Sequence, residues 1–173
     1  MPDFREIVEQ HRHRVYTFSF YCLGNAQDAE DVTQEVLVRL WKNWHKVKMD
    51  SIRPWLIRVT RNACIDAIRK RRSYRAVVAD EGYEVMLTSA ADAQPDPSSV
   101  MEISDLKQQL REAVERLGDP YRTIVILREI QDMTYAEIGE VLGVPLNTVK
   151  VYLHRGRRML REQLRERVGH GQI

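Results

Sequence analysis

The side chains best suited to chemistry in this chain are gathered in two basic clusters. The first extends from Arg53 to Arg75 and contains eight arginines and lysines against one acid, Asp66. The second extends from Lys150 to Arg167 and contains seven against two acids. The net charge of the chain is only +2, so the positive charge is concentrated in these two places. Clusters of this kind predict two contacts with a polyanion.

The second cluster occupies one side of a predicted helix. At 100° per residue, Val149, Leu153 and Leu160 fall on one side of this helix, where they can be buried. The other side carries polar residues near the helix start, which suit base edges, and arginines, which suit phosphates. The residues predicted to face a DNA groove are Asn147, Lys150, Val151, His154, Arg155 and Arg158. The pattern leaves open which of them contact bases and which contact phosphates.

A short capped helix and a tight turn precede this basic helix. Thr134 and Glu137 have the spacing of a capping box, in which each side chain bonds the backbone N–H of the other residue. Gly143 can adopt the left-handed conformation that ends a helix, and Pro145 follows in the turn. Capped helix, turn and basic helix together predict a helix-turn-helix. An amphipathic hairpin with a solvated basic face is the alternative, but it does not require this cap and turn.

The first cluster shows the same division on another predicted helix. Ile52, Leu56 and Ala63 fall on its apolar side. The opposite side carries Arg58, Arg61, Asn62, Arg69 and Arg72. Asn62 is the most informative of these residues, because an amide can pair with a base whereas arginine mostly contacts phosphate. A solvated charged face explains the arginines equally well.

Three tryptophans precede or begin the first cluster. Trp41, Trp44 and Trp55 have flat aromatic faces on which unpaired bases could stack. Because all three fall within apolar stripes, we predict that at least two of them belong to the hydrophobic core.

Apolar residues recur at intervals of three and four through most of the chain, without any long strand alternation. The sequence therefore predicts an all-α protein, with the helix of the first cluster ending near Arg72. Residues 76–104 interrupt the pattern, because they contain Gly, Pro and several acids but no Lys or Arg. We predict a small helical domain in residues 1–75, a flexible acidic linker in 76–104 and a second small helical domain in 105–173.

Composition disfavours membrane and secreted proteins. No apolar run approaches the roughly 20 residues of a membrane span, and the charged N-terminus lacks the apolar stretch of a secretory signal. We therefore expect a cytoplasmic protein without membrane insertion. The two cysteines, Cys22 and Cys64, lie in helical patterns and are predicted to be buried, reduced thiols.

The residues typical of an enzyme or a metal site are not found in this sequence. It has no Gly-rich phosphate loop after a strand and no nucleophile with an adjacent base. The five histidines are scattered, and His11 and His13 point to different sides of their helix, which disfavours a metal pair. We expect no catalytic residue, no metal site and no cofactor.

Several segments of the sequence resemble conserved regions of bacterial sigma factors. Residues 28–41 (DAEDVTQEVLVRLW) resemble the second sigma region, and residues 54–66 (PWLIRVTRNACID) resemble the stretch that follows it. Residues 117–129, 134–139 and 147–150 resemble the fourth region. Their order and spacing are similar to the extracytoplasmic-function (ECF, group IV) sigma factors of the sigma-70 family. The resemblance covers nearly the whole chain. Because this group keeps only the second and fourth sigma domains, it implies a region 2 helical bundle and a region 4 helix-turn-helix.

The resemblance implies core RNA polymerase as the main partner. The chain would contact two parts of the polymerase, the clamp helices of the largest subunit and the flap. The resemblance places Asp31, Gln34 and Glu35 at the contact with the clamp helices. It also implies an anti-sigma factor as a partner. The acidic linker would thread the polymerase channel near the exit path of RNA.

The resemblance also implies two contacts with promoter DNA. Arg58, Arg61, Asn62, Arg69 and Arg72, with the loop from His45 to Ser51, would take the −10 element as a melted strand. Asn62 matches a position that the family uses for a flipped base. The predicted helix-turn-helix would read the −35 element in the major groove. The implied function is promoter-specific initiation of transcription, with the polymerase doing the chemistry.

Two other classes of protein were considered. A conventional regulator, such as a response regulator, would need a receiver or ligand domain in front of its helix-turn-helix, and the first half of the chain has no alternating strands and helices. A protein-interaction module with basic faces would explain neither the capping box nor the groove-facing residues. The promoter sequence and the inducing signal do not follow from the sequence.

Overall fold

The computed structural model describes residues 3–80 and 99–170, with side chains for 3–79 and 104–166. The chain divides into two units, Met1–Ala93 and Gln94–Ile173. The described parts contain helices and turns and no strand, which confirms the predicted all-α fold. Within these parts, no helix is both long enough and apolar enough to cross a bilayer.

In its described residues, 3–80, the first unit is a bundle of three helices. Helix α1 spans Phe4–Leu23, α2 spans Ala26–Asn43, and α3 spans Ile52–Asp80 after a short 3-10 turn at Met49–Ser51. Phe18 on α1, Leu40 on α2 and Leu56 on α3 are completely buried, so each helix contributes an apolar side to one core. Burial of large side chains of this kind contributes about 1.5–3 kcal/mol for each residue.

Two adjacent caps set the helix boundaries in the first unit. Gly24 adopts φ 78° and ends α1, with its N–H donating to Phe20 O at 2.9 Å. Asn25 then caps α2, since its Oδ1 accepts from the backbone N–H of Asp28 at 2.8 Å. The connection between α1 and α2 therefore consists of the two capping residues alone, Gly24 and Asn25.

Both cysteines lie in the interior of the first unit. Cys22 on α1 is 3% exposed and Cys64 on α3 is completely buried, and both are free thiols. The prediction of buried, reduced cysteines is confirmed.

His11 is a buried ionisable side chain of the same core. It is only 7% exposed, and its Nδ1 has no hydrogen-bond partner among the described residues. Burial lowers the pKa of His11 from its ordinary value of 6.5, and the positive charges of Arg14 and Arg53 lower this pKa further. The folded protein therefore favours the neutral form of His11 more than the unfolded chain does.

The part of the second unit that the structure describes, residues 99–170, is built from four helices. Helix α4 spans Ser99–Glu115, α5 spans Tyr121–Val125 and continues as a π-helical turn at Ile126–Ile130, α6 spans Tyr135–Leu142, and α7 spans Leu146–His170. Its core is formed by Ile124, Leu127, Ile138 and Leu153, none of which is more than 1% exposed.

The side chain of Arg122 connects α5 to the end of α4. Its Nε donates to Leu117 O at 2.8 Å and its Nη2 donates to Glu115 O at 2.5 Å. These carbonyls lie at or just beyond the end of α4, where no further helical N–H is available to them. Arg122 thus replaces the missing backbone donors and fixes the angle between the two helices.

The boundaries of two helices differ from those expected from sequence. Helix α3 does not end near Arg72 but continues to Asp80, and α4 begins at Ser99. Both ends of the segment 76–104 are therefore helical. Helix α3 continues past Arg72 because no Gly or Pro stands before Gly82 to stop it. Residues 81–98 lie outside the described residues, so the flexible linker stays a prediction.

We predict that the stability of the first unit depends on pH through His11. Because the pKa of His11 is lower in the folded than in the unfolded chain, the unfolded chain binds this proton more tightly. The contribution of this pKa difference to the free energy of unfolding is complete above pH 6.5. It is lost as pH falls from 6.5 toward the lowered pKa of folded His11, by at most about 1.4 kcal/mol per pH unit. Urea unfolding followed by tryptophan fluorescence measures it, since Trp41, Trp44 and Trp55 all lie in this unit.

The variant His11→Gln should lose this component of the pH dependence, whatever its absolute stability. The control variant His45→Gln changes an exposed histidine and should keep the component. Identical pH profiles for wild type and His11→Gln would contradict the prediction.

Candidate nucleic-acid interface

Helices α6 and α7 form the helix-turn-helix that the sequence predicts. Thr134 Oγ1 accepts from Glu137 N at 3.2 Å, and Glu137 Oε2 accepts from Thr134 N at 2.8 Å, so the capping box is complete. Gly143 ends α6 at φ 67°. A Cβ on Gly139 would lie 3.0 Å from Val144 O, so this glycine lets the turn fold closely back on α6.

A second glycine allows α7 to approach α5. A Cβ on Gly156 would lie 2.9 Å from Val125 Cγ2 and 3.4 Å from Tyr121 O. The rings of Tyr121 and Tyr152 meet edge to face, with centroids 5.8 Å apart. The buried side of α7 is therefore held by close backbone packing, which fixes the rotation of the helix about its own axis.

The opposite side of α7 is open to solvent. Val149, Leu153 and Gly156 are buried. All six residues predicted to face a DNA groove are exposed, namely Asn147, Lys150, Val151, His154, Arg155 and Arg158. Arg158 has a carboxylate neighbour, Glu162, but at 3.9 Å on an exposed face this pair is weak. The structure thus brings these six residues to one accessible surface, as an interface with a duplex groove requires.

A similar surface lies on α3 in the first unit. Arg58, Asn62, Arg69 and Arg72 are exposed, and Arg61 is half-buried. The five positions lie on one side of α3, opposite the buried residues Leu56 and Ala63. The amide of Asn62 is thus presented to solvent among arginines.

The acidic residues predicted to bind polymerase lie on α2. Asp31, Gln34 and Glu35 are all exposed. Glu35 pairs with Arg39 one turn later at 2.5 Å, and Asp31 accepts from Gln27 Nε2 at 3.3 Å. Exposed pairs within one helix contribute only about 0.3–0.5 kcal/mol, so a partner protein can displace them at little cost.

The exposed side of α2 also carries apolar residues that the sequence analysis did not assign to a site. Val38 is 49% exposed and Trp41 is 66% exposed. At 100° per residue they continue the side that carries Gln34. The prediction that at least two tryptophans are core residues is wrong, because none of the three is fully buried. Trp44 and Trp55 are only half-buried, and Trp44 contacts the ring of Phe4 edge to face.

A groove of 690 Å³ separates α2 from α3. Its α2 wall carries mostly acids, namely Asp28, Asp31 and Glu35 with Arg39. Its α3 wall carries mostly cations, namely Arg69, Lys70 and Arg71 with Asp66. The resemblance assigns Asp31 to polymerase and Arg69 to DNA. The structure places both on the walls of one groove, because α2 and α3 pack side by side.

Arg71 connects the two walls of this groove. Its guanidinium forms an ion pair with Asp28, and its Nη1 donates to Leu23 O at 3.4 Å. Asp28 also accepts from Asn25 Nδ2 at 2.8 Å. Arg71 therefore ties α3 to the connection between α1 and α2, and it is a structural residue within the basic cluster.

Two protein-family models match the chain. The model described as Sigma-70 region 2 matches residues 7–74, which include the α2–α3 groove and the exposed side of α3. The model described as Sigma-70, region 4 matches residues 107–160, which include the helix-turn-helix.

Curated relatives match the chain over most of its length. The ECF RNA polymerase sigma factor SigW of Bacillus subtilis is 33% identical over 168 residues, which cover 94% of this chain and 89% of SigW. The ECF RNA polymerase sigma factor SigE of Mycolicibacterium smegmatis is 37% identical over 164 residues, which cover 95% of this chain. The chain spans only 62% of the length of SigE.

Solved structures share the fold. The sigma factor RpoE in complex with the anti-sigma factor NepR from Bartonella quintana matches with a TM-score of 0.73 and 23% identity, over 95% of this chain and 98% of that chain. CnrH in complex with the cytosolic domain of CnrY matches with a TM-score of 0.67 and 21% identity, over 94% of this chain and 88% of that chain. At these identities the likeness concerns the fold alone.

We predict that Arg71 and Arg72 differ in their effect on stability although they are neighbours. Arg71→Ala removes the partner of Asp28 and a donor to Leu23 O, and it should lower the free energy of unfolding of the first unit by about 1 kcal/mol. Arg72→Ala removes an exposed side chain and should change that energy by less than about 0.5 kcal/mol. Urea unfolding followed by tryptophan fluorescence measures both, and equal losses would contradict the prediction.

Proposed function

Because the chain belongs to the ECF sigma factors of the sigma-70 family, we propose that it binds core RNA polymerase and directs promoter-specific initiation of transcription. The observation that carries this function is the pairing of two small helical units, one matching sigma region 2 and the other sigma region 4. Each unit presents an exposed basic helix face. A single protein with two such faces can contact two elements of one promoter.

The second unit is assigned to the −35 element of the promoter. Its six exposed residues on α7 would lie in the major groove, which admits an α-helix and presents a distinct pattern for each base pair. Asn147 and Lys150, near the start of α7, would lie closest to base edges. Arg155 and Arg158 have the reach for either a base or a phosphate.

The first unit is assigned to the −10 element, taken as a melted strand. The exposed arginines Arg58, Arg69 and Arg72 would track the backbone phosphates, and Asn62 would pair with a flipped base. Arg61 is half-buried at the edge of this surface and would contact the strand with the end of its side chain.

The exposed side of α2 is assigned to the clamp helices of the polymerase largest subunit. Asp31, Gln34 and Glu35 supply polar and acidic groups, which suit a basic partner and fix the register of docking. Val38 and Trp41 supply apolar area beside them. An apolar patch with an exposed tryptophan beside charged residues is typical of the centre and rim of a protein interface.

The proposed function has consequences for partners and location. RpoE of Bartonella quintana was crystallised with the anti-sigma factor NepR, and we propose that this chain also has an anti-sigma partner. The chain would work in the cytoplasm, where the polymerase is, and would have no catalytic activity of its own. The segment 76–104 would serve as the linker through the polymerase channel, and the polymerase flap would hold the second unit.

Run-off transcription with core polymerase, with and without this chain, tests the proposed function. We predict that only the complex gives specific transcripts and a permanganate-reactive bubble near −10. Asn62→Ala should reduce opening about tenfold, since a good contact to a base contributes about 1–3 kcal/mol. The control variant Gln10→Ala removes an exposed amide on α1 and should open the promoter like wild type. Specific footprinting of duplex promoter by the isolated chain would favour an autonomous regulator instead.

We further predict that Glu35→Lys weakens binding to core polymerase by tenfold or more, about 1.4 kcal/mol, because it places a positive charge against a basic partner. Fluorescence titration of labelled chain with core polymerase measures the affinity. Glu9→Lys makes the same charge change at an exposed position of α1 and should have little effect. Equal affinities of wild type and Glu35→Lys for core polymerase would contradict the assignment of α2.

A further inference from the structure

The chain passes from α5 into α6 through a π-helical turn and three further residues, which together are called the entry turn (residues 126–133). Gln131 N–H donates to Ile126 O at 2.9 Å, and Met133 N–H donates to Leu127 O at 3.0 Å. These bonds span more residues than the bonds of an α-helix, so the helix widens where the chain turns toward α6. Short π-helical turns are rare and frequently occur at functional sites.

The last residues of the entry turn have little conformational freedom. Gln131 is 6% exposed and Met133 is completely buried. Asp132, between them, adopts φ 51°, in the left-handed region that residues other than glycine seldom occupy. A backbone held in this region persists only where the surrounding contacts determine it. The position of Thr134, which caps α6, therefore depends on contacts made within the entry turn.

Arg128 makes side-chain contacts from the entry turn to the start of α6. Its Nη1 donates to Met133 O at 2.8 Å, and its guanidinium lies over the ring of Tyr135, 5.2 Å from the ring centroid. A charged donor strengthens a hydrogen bond, and the face of a tyrosine ring attracts a cation at this distance. Because Arg128 is half-buried, solvent screens these contacts less than it would on a fully exposed side chain.

A change in the position of α6 reaches α7 because the two helices are closely packed. A Cβ on Gly139 would lie 3.0 Å from Val144 O, and Gly139 O accepts from Val144 N–H at 3.1 Å. Ile138 on α6 and Val149 on α7 are both completely buried. Interiors packed in this way transmit small shifts instead of absorbing them. The start of α7, with its exposed Lys150, therefore follows α6.

The next residue of the entry turn, Glu129, contacts α7 directly. Its Oε1 accepts from Arg157 Nε at 2.6 Å and from Arg157 Nη2 at 2.5 Å. Both side chains are partly exposed, so this pair alone contributes little to stability. Two consecutive residues of the π-helical turn thus contact the two helices of the helix-turn-helix, Arg128 on the side of α6 and Glu129 on the side of α7.

We propose that Arg128 is a positioning residue for recognition of the −35 element. It sets the angle at which α6, and with it α7, leaves the entry turn, and it contacts no DNA itself. The inference rests on the proposed function and deepens it, because it names a residue outside the DNA surface on which reading of the −35 element depends.

Three variants of the full chain test this role. Arg128→Met keeps an apolar stem but removes both the donor to Met133 O and the cation beside Tyr135. Arg128→Lys keeps the charge without the planar guanidinium. Tyr135→Leu removes the ring contact alone. Arg116→Met is the matched control, because it removes the same charge from an exposed position just after α4.

Each variant is assembled with core polymerase, and the rate of promoter opening is measured on two templates. One is a promoter that the wild-type complex recognises, and the other is the same promoter with its −35 element scrambled. The ratio of the two rates should fall about fivefold in Arg128→Met and about twofold in Arg128→Lys and Tyr135→Leu. The double variant Arg128→Met, Tyr135→Leu should equal Arg128→Met, because the two residues share one contact. Arg116→Met should keep the wild-type ratio.

Further readouts separate positioning from simpler roles of Arg128. In the positioning role, the rate on the scrambled promoter and the binding of a premelted template without a −35 element stay at wild-type values. A phosphate contact would instead slow opening of both promoters alike and make the slope of log affinity against log salt shallower by about 0.9. A purely structural role would lower the melting temperature, followed by circular dichroism, without changing the ratio.

Either of those results, or a wild-type ratio in Arg128→Met, would overturn the proposal. If Arg128→Met does not fold, Arg128→Lys and Tyr135→Leu decide it: wild-type ratios in both overturn the positioning role, and a twofold fall in both supports it.

Failure of the proposed function and failure of this inference are distinguishable, because the wild-type complex is scored first. If it opens no promoter specifically, the proposed function is overturned and the inference with it. If it opens a promoter specifically and the ratio in the folded variants is unchanged, only the positioning role of Arg128 is overturned.

Discussion

Each of the long helices α3 and α7 buries one side within its own unit, and the proposed binding surfaces consist of what remains on the other side. This division is set by packing. Leu56 and Ala63 are buried on α3, and Gly156 brings α7 against Val125 so closely that the helix cannot rotate without a clash. Because the buried side is fixed, the exposed side is fixed as well, and basic residues spaced at three and four lie on one surface.

Electrostatics distinguishes the two surfaces of the first unit. The α2 wall of the groove carries mostly acids and the α3 wall carries mostly cations, which suits a basic protein partner on one side and a nucleic acid on the other. Where the two walls meet, Arg71 pairs with Asp28 and serves the fold. Asp31, Glu35 and Arg69 are exposed, and exposed ion pairs contribute little to stability, so these charges stay available for partners.

The division into two small units suits a protein that works on a larger assembly. Each unit has its own core, and each proposed DNA surface is a single helix face. Two weak contacts that are joined by a chain become strong when a third body holds both at the right spacing, because the second contact is then intramolecular. In the proposed function core polymerase provides that spacing. It also supplies the open duplex that the α3 surface requires.

Sequence alone determined the local features of this protein, because caps, turns and helix periodicity depend on residues within one or two turns of each other. The capping box at Thr134, the left-handed Gly143 and the exposed side of α7 follow directly from residue order. The tertiary structure alone decided what depends on neighbouring helices. It showed that Trp41 is exposed and that Arg71 serves the fold, because neither property is encoded in the spacing along a single helix.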